Sequence, residues 1–449
     1  MHRCPIIAVF GHHNWFRWGL VFLSALSVWP SKSCCTSIYG RFTAAFYAFE
    51  RAVQDTVTSA SFRVYQTGRI RIRGIGRPDV SFQAYGRVSD ELGPRVGGGP
   101  VYRLYHGYFH YREKSRFAKV GRQTILSGVG VGRIDGLRLG GRVAWLGEMD
   151  VYAGSLVRGG EGVSAWSDGH VYGARLITDP LAETVIGLSY YRRNRDATPY
   201  ESEYRQAAGL PGLEIRAGEV EQEMFGVDVR RQFGPVSGYF RWDLSIPGRL
   251  RTRRLEGVLR YRHGKTTLSA DFIHRTPYVD GNSLFYVFAR AGNEEYSVRG
   301  NYRFNWHLGL YGAASLVDYA GDRGTRVNVG ARVLNGYVGY VGRRGAGGVS
   351  DGISSTLRKT LQERAWAEAS VHFTRFRTAE AGGTRSTVAS QTLSVHFRAS
   401  RHLSLAFQGQ NLSQDLDLAT RSNPFQGNGH DLRFFFSATG WFFSRGTGE

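Results

Sequence analysis

The chain has 449 residues, with 58 basic against 37 acidic side chains and a formal net charge of +21; only five of the basic residues are Lys. Aromatics make up 13%, and 59 Gly stand against 12 Pro, which excludes a disordered chain and suits many strands joined by turns. The three cysteines are Cys4, Cys34 and Cys35, so a disulfide scaffold or cysteine metal centre is excluded beyond residue 35. Arg is spread from end to end, unlike the patch or tail of a nucleic-acid binder.

Residues 1–37 read as a secretory signal peptide. A His- and Arg-bearing stretch to Arg17 precedes the apolar run Gly19 to Trp29, then small and polar residues, with cleavage expected before Ile38. A misassigned start codon ahead of a shorter signal fits the same residues. The run is shorter than the roughly 20 apolar residues of a spanning helix. No other segment approaches one, so membrane residence would have to be as a barrel.

From Tyr39 onward the pattern is period two, with almost no helical periodicity. Phe62, Val64, Gly68, Ile70 and Ile72 alternate with Arg63, Tyr65, Thr67, Arg69, Arg71 and Arg73. Weaker strands are expected over 136–145 and 149–157. Val236, Gly238, Phe240, Trp242 and Leu244 then alternate with Ser237, Tyr239, Arg241, Asp243 and Ser245. Tyr296 to Phe304 alternates with Arg299 and Arg303 on the polar side, and 337–343 and 352–361 are weaker again. Leu393 to Ala399, Leu403 to Gly409 and Leu432 to Phe443 complete the series.

These strands run about ten residues or more, longer than in soluble sheets and matched to a tilted membrane crossing. Tight turns are expected at Phe233-Gly234-Pro235, His263-Gly264-Lys265, Asn305-Trp306, Asn335-Gly336 and Ser400-Arg401. Longer connections fall at 194–221, 276–293, 343–351 and 413–429. Short turns at one end and long loops at the other are the outer-membrane arrangement. Asn335-Gly336 is the strongest turn signal, because Asn-Gly accepts the positive φ values of a type I′ turn. The count is about 22 antiparallel strands (range 18–22, even), all in one transmembrane β-barrel domain, 38–449. No repeat of 20–50 residues divides it.

The stretch Tyr102-Arg103-Leu104-Tyr105 through Lys119-Val120-Gly121-Arg122-Gln123, then the Gly-rich Ser127 to Gly141, resembles a passage of the large porin-like barrels of Gram-negative outer membranes. The aromatic close at Phe434, Phe435, Phe436, Trp441, Phe442 and Phe443 resembles the terminal strand of such barrels, although six residues follow it. The resemblance implies residence in the bacterial outer membrane and a channel function. It also implies a loop folded into the lumen, for which 127–142 is the candidate, with Arg133, Asp135 and Arg138 at the constriction. An ordinary surface loop is the alternative.

Enzyme and cofactor motifs are weak. Gly128-Val129-Gly130-Val131-Gly132-Arg133-Ile134-Asp135-Gly136 is followed by a strand-like stretch, not the helix that a dinucleotide loop requires. Gly264-Lys265-Thr266 lacks the Gly of a phosphate loop at position 259, which is Leu. His106 and His110 share a strand face but sit about 13 Å apart along it, so polar lumen residues are a better reading than metal ligands. No enzyme activity, cofactor or metal is expected.

The Arg rows carry the functional reading. Arg63, Arg69, Arg71, Arg73, Arg241, Arg254, Arg260, Arg262, Arg299 and Arg303 alternate with residues facing the other way. Solvation of a wide lumen would need polar residues, but Asp and Glu would serve equally and are scarcer. Fixed positive charge along a pore raises local anion concentration. The expectation is a porin-like channel for passive diffusion of small, anionic solutes, with lipid and lipopolysaccharide around it and no nucleic-acid partner. The competing reading is a structural sheath enclosing a periplasmic electron-transfer protein; an outer-membrane enzyme or adhesin has no positive residue evidence.

Overall fold

A computed structural model describes residues 37–54, 57–92, 100–157, 166–181, 183–195, 200–201, 214–215, 220–246, 250–276, 292–319, 321–345, 348–377, 386–415 and 430–445. The expected leader, all three cysteines and most of the long connections at 194–221, 276–293 and 413–429 lie outside the described residues.

The first nine strands are β1 (Ser37–Gln54), β2 (Val57–Arg73), β3 (Val80–Leu92), β4 (Val101–Glu113), β5 (Arg116–Ser127), β6 (Gly130–Val143), β7 (Gly147–Leu156), β8 (Gly169–Leu181) and β9 (Thr184–Arg195). Two-residue strands β10 (Tyr200–Glu201) and β11 (Glu214–Ile215) pair only with each other. Then follow β12 (Val220–Phe233), β13 (Val236–Ser245), β14 (Arg251–His263), β15 (Thr266–Arg275), β16 (Asn293–Arg303), β17 (Leu308–Tyr319) and β18 (Asp322–Val333). The series ends with β19 (Gly336–Gly345), β20 (Val349–Gln362), β21 (Ala365–Arg377), β22 (Ser386–Arg398), β23 (Leu403–Asp415) and β24 (His430–Arg445). Apart from the β10–β11 pair, the described strands form one 22-stranded antiparallel sheet, which β1 closes by pairing with both β2 and β24. Closure leaves no edge strand, the condition for a sheet to cross a membrane.

Residues directly opposite in a ladder point to the same side, so the pairing registers carry one face around the whole barrel. Large apolar side chains remain exposed on one face, among them Val298, Leu259, Phe240, Leu393 and Phe436. In a closed barrel that is the apolar band of a membrane-spanning protein. The other face carries ion pairs such as Arg299–Asp271 and Arg175–Asp228.

Three expectations shift. The connection expected at 343–351 is much shorter, because β19 continues to Gly345 and β20 starts at Val349. The Asn335-Gly336 turn moves back by one residue: Leu334 and Asn335 form it, Leu334 takes φ 53°, and Gly336 opens β19 opposite Val333. Keeping Val333 and Val338 on the apolar face outweighs the local Asn-Gly preference, since a one-residue slip would turn every side chain over. The Gly-rich 127–142 segment is not a long loop. It is strand β6, whose second half is the weaker strand expected over 136–145, joined to β5 by the two-residue turn Gly128-Val129.

Candidate functional site

The β5–β6 hairpin departs from the wall. β5 pairs with β4 only from Arg116 to Arg122; from Gln123 on, its ladder is with β6 alone. The departure is marked by Gly121, at φ 122°, where a Cβ would collide with the Gly107 carbonyl oxygen. Arg122 braces the break: Nε and Nη2 donate to the Asp135 carboxylate at 2.8 and 2.7 Å, and Nη1 reaches the Leu104 carbonyl at 3.4 Å. A forked guanidinium on a carboxylate fixes orientation as well as charge.

Beyond that point the hairpin lies against the polar face of the strands that follow it. Ser127 Oγ donates to Asp150 on β7 at 2.9 Å, and Val129 N–H donates to Ser189 Oγ on β9 at 3.1 Å. Tyr191 OH donates to the Val131 carbonyl at 3.4 Å, and Arg241 Nη2 on β13 donates to the Gly128 carbonyl at 3.1 Å. Ile125, Val129, Ile134, Tyr152, Val171 and Tyr191 are buried together beneath it. Burying six such side chains is worth on the order of 10 kcal/mol before ordering entropy is subtracted. The hairpin is therefore packed, not loosely tethered. Gly128 permits the seat: its φ is 58°, and a Cβ would run into Ser189 Oγ.

The registers place all ten expected pore residues on one continuous face. Arg63, Arg69, Arg71 and Arg73 stand opposite Glu91, Tyr85, Gln83 and Ser81 of β3. Arg241 stands opposite Glu256 and Asp228, Arg260 opposite Ser237 and Ser269, and Arg262 opposite Thr267. Arg254 stands opposite Asp243, Arg299 opposite Ser269, and Arg303 opposite Gly309. Their charges are not equivalent. Arg241 is held by Asp243, Arg254 by Glu256 and Arg299 by Asp271. Among the described residues, no carboxylate pairs with Arg69, Arg71, Arg73, Arg260, Arg262 or Arg303, and Arg63 meets Glu91 only at 3.9 Å.

The three expected constriction residues do not act together. Arg138 shares the face of Ile134 and Tyr152, where it forks onto Asp150 at 2.8 and 2.7 Å. Arg133 and Asp135 point from the opposite face of β6. Asp135 is taken up by Arg122, whereas Arg133 lies over the Tyr105 ring of β4, 5.3 Å from its centroid.

Around Tyr105 is a group that the sequence reading missed. Arg87 on β3 lies over both Tyr65, at 5.4 Å, and Tyr105, at 5.9 Å. Tyr85 stacks on Tyr105, with centroids 5.0 Å apart, and also meets His106 at 5.7 Å. Arg69, Arg71 and Arg133 act on His106 through space. The alternation Gln83, Tyr85, Arg87 continues the signal that singled out the Arg63–Arg73 row and would have found Arg87. Arg133 reaches the group only because the hairpin has left the wall.

No family model matches the chain, and no curated protein matches its sequence. Solved structures do match its fold. The ferric enterobactin receptor PfeA of Pseudomonas aeruginosa, as a G324V mutant, is similar with a TM-score of 0.56 and 11% identity over 92% of this chain and 81% of that one. The translocation pore of the P pilus usher PapC is similar with a TM-score of 0.50 and 10% identity over 90% of this chain and 99% of that one. The fold is that of the large outer-membrane β-barrels.

Proposed function

We propose that the chain is a passive outer-membrane channel with an Arg-rich lumen and a preference for small anionic solutes. The observation that carries this reading is the run of carboxylate-free arginines on the polar face of β2, with Arg87 and Arg133 beside it. With the apolar face in lipid, this polar face is the wall of the interior. Fixed cations on a low-dielectric wall concentrate anions and repel cations. On β13–β16 neighbouring carboxylates take up Arg241, Arg254 and Arg299, while Arg260, Arg262 and Arg303 add uncompensated charge to that of the β2 row.

The hairpin supports the same reading. It fills part of the interior along β7–β13 and narrows the remaining passage toward β2–β4, where Arg69, Arg71 and Arg73 are. It also takes up space that an enclosed partner protein would need, which favours a channel over the sheath. One of the similar proteins, the PapC usher, is itself described as a translocation pore.

Ion selectivity of the Arg69→Gln, Arg71→Gln, Arg133→Gln triple variant tests the proposal in planar bilayers. Anion preference should fall well below that of the parent while open-channel steps persist. Unchanged selectivity would remove these residues from the conduction path.

A further inference from the structure

We infer that the group around Tyr105 is a binding site for a tetrahedral phosphate dianion, either free phosphate or a phosphomonoester. The inference deepens the channel reading and rests on it only in taking the polar face of β2–β4 as open to solute.

Arg71, Arg87 and Arg133 come from three different strands, and among the described residues none has a carboxylate partner. Their positions are set by neutral groups instead. Tyr65 and Tyr105 hold Arg87, Tyr105 holds Arg133, and Gln83 Oε1 accepts from Arg71 Nη2 at 2.9 Å. A ring face fixes a guanidinium plane without consuming its N–H edge, which stays free for an oxyanion. The Nε atoms of all three are shielded from solvent and have no acceptor. Elsewhere on this face the comparable guanidiniums of Arg138, Arg175 and Arg241 are neutralised by Asp. Here the described residues supply donors and charge but no carboxylate acceptor.

The shape of the missing acceptor follows. A monocarboxylate offers two coplanar oxygens, which a single guanidinium fork satisfies. Arg87 and Arg133, from β3 and the hairpin, share the Tyr105 ring, and two forks at one ring need oxygens pointing in more than one direction and more than one negative charge. A phosphate dianion meets both needs. Every cation in the group is an Arg and none is a Lys, so planar, bidentate recognition is available at each.

The test is calorimetric titration of the full barrel in detergent, with folding of every variant checked by heat modifiability. The probes are inorganic phosphate, glycerol phosphate and acetate. Phosphate should bind at least about tenfold more tightly than acetate, and Arg87→Gln or Arg133→Gln should each weaken it by about tenfold or more. Arg133→Lys, which keeps the charge but loses the fork, should also weaken it. Arg358→Gln removes an arginine seated singly over Trp366 and should leave phosphate affinity unchanged. Tighter glycerol phosphate than inorganic phosphate would identify the phosphomonoester as the preferred form, and the reverse would identify the free ion. Equal affinity for acetate and phosphate, or phosphate binding that ignores Arg87 and Arg133, overturns the inference. Because no current is measured, the site can fail while the channel stands, and the channel can fail while the site stands.

Discussion

Arg241 on β13 donates a 3.1 Å hydrogen bond to the carbonyl of Gly128, at the tip of a hairpin whose own strands are β5 and β6. Four strands, β7, β8, β9 and β12, lie between them around the sheet. Such a contact exists only because the hairpin leaves its place in the wall and crosses the polar face of its neighbours. It makes the hairpin a fixed part of the interior.

Unseating the tip should therefore widen the passage. Gly128→Val puts a β-branched residue at φ 58°, which costs of order 1–3 kcal/mol, and drives it into Ser189 as well. Single-channel conductance should rise and become noisier, with the barrel still folded. Conductance identical to the parent would mean that the tip does not narrow the path.

Asp243 is buried on the wall beneath the tip and accepts from Arg241 at 2.9 and 3.0 Å. Asp243→Asn leaves that guanidinium half-buried and without its counter-charge, at a cost of about 1–3 kcal/mol. Thermal unfolding should shift down, and protease cleavage at the hairpin should speed up.

The face assignment has a test within one strand. Leu393 and Ser394 are neighbours on β22 that point to opposite sides. Leu393→Arg should destabilise the barrel by about 2–4 kcal/mol if it places the charge near the bilayer midplane. Ser394→Arg should cost little. The comparison is read from refolding titrations in lipid vesicles, and equal costs would contradict the assignment.

Selectivity should depend on salt. One unpaired Arg about 7 Å from the path contributes about 0.6 kcal/mol in unscreened water, roughly a threefold rise in local anion concentration. Screening lengths fall from about 10 Å at 0.1 M to about 3 Å at 1 M. Anion preference should therefore decline steeply over that range, whereas preference set by a narrow steric filter would persist.

Much of this fold is legible in the residues. The Phe62–Arg73 and Leu393–Ala399 alternations appear in the structure as the two faces of β2 and β22, because a period of two leaves no other way to bury one side. Twenty-two barrel strands match the count reached from turn parity. Local signals failed where tertiary pairing overrode them. The first half of β6, Gly130 to Asp135, looks like a loop because its glycines suppress strand propensity, whereas the second half falls on the weaker strand expected over 136–145. The turn at Leu334 shows the same priority of register over turn chemistry.

The site was less legible. A row of arginines can be read from alternation, but which of them keep free charge depends on partners from other strands. Asp271 for Arg299 is one such partner, 28 residues away in sequence, and Asp135 for Arg122 is another. Arg133 could not be assigned to Tyr105 from any spacing, because the contact requires the kink at Gly121.

The most direct test of the channel is the reversal potential of the refolded barrel in a planar bilayer under a KCl gradient at low salt. The account predicts stable open steps and a potential displaced toward that of chloride. A potential displaced toward potassium, or a folded barrel that never conducts, would contradict it.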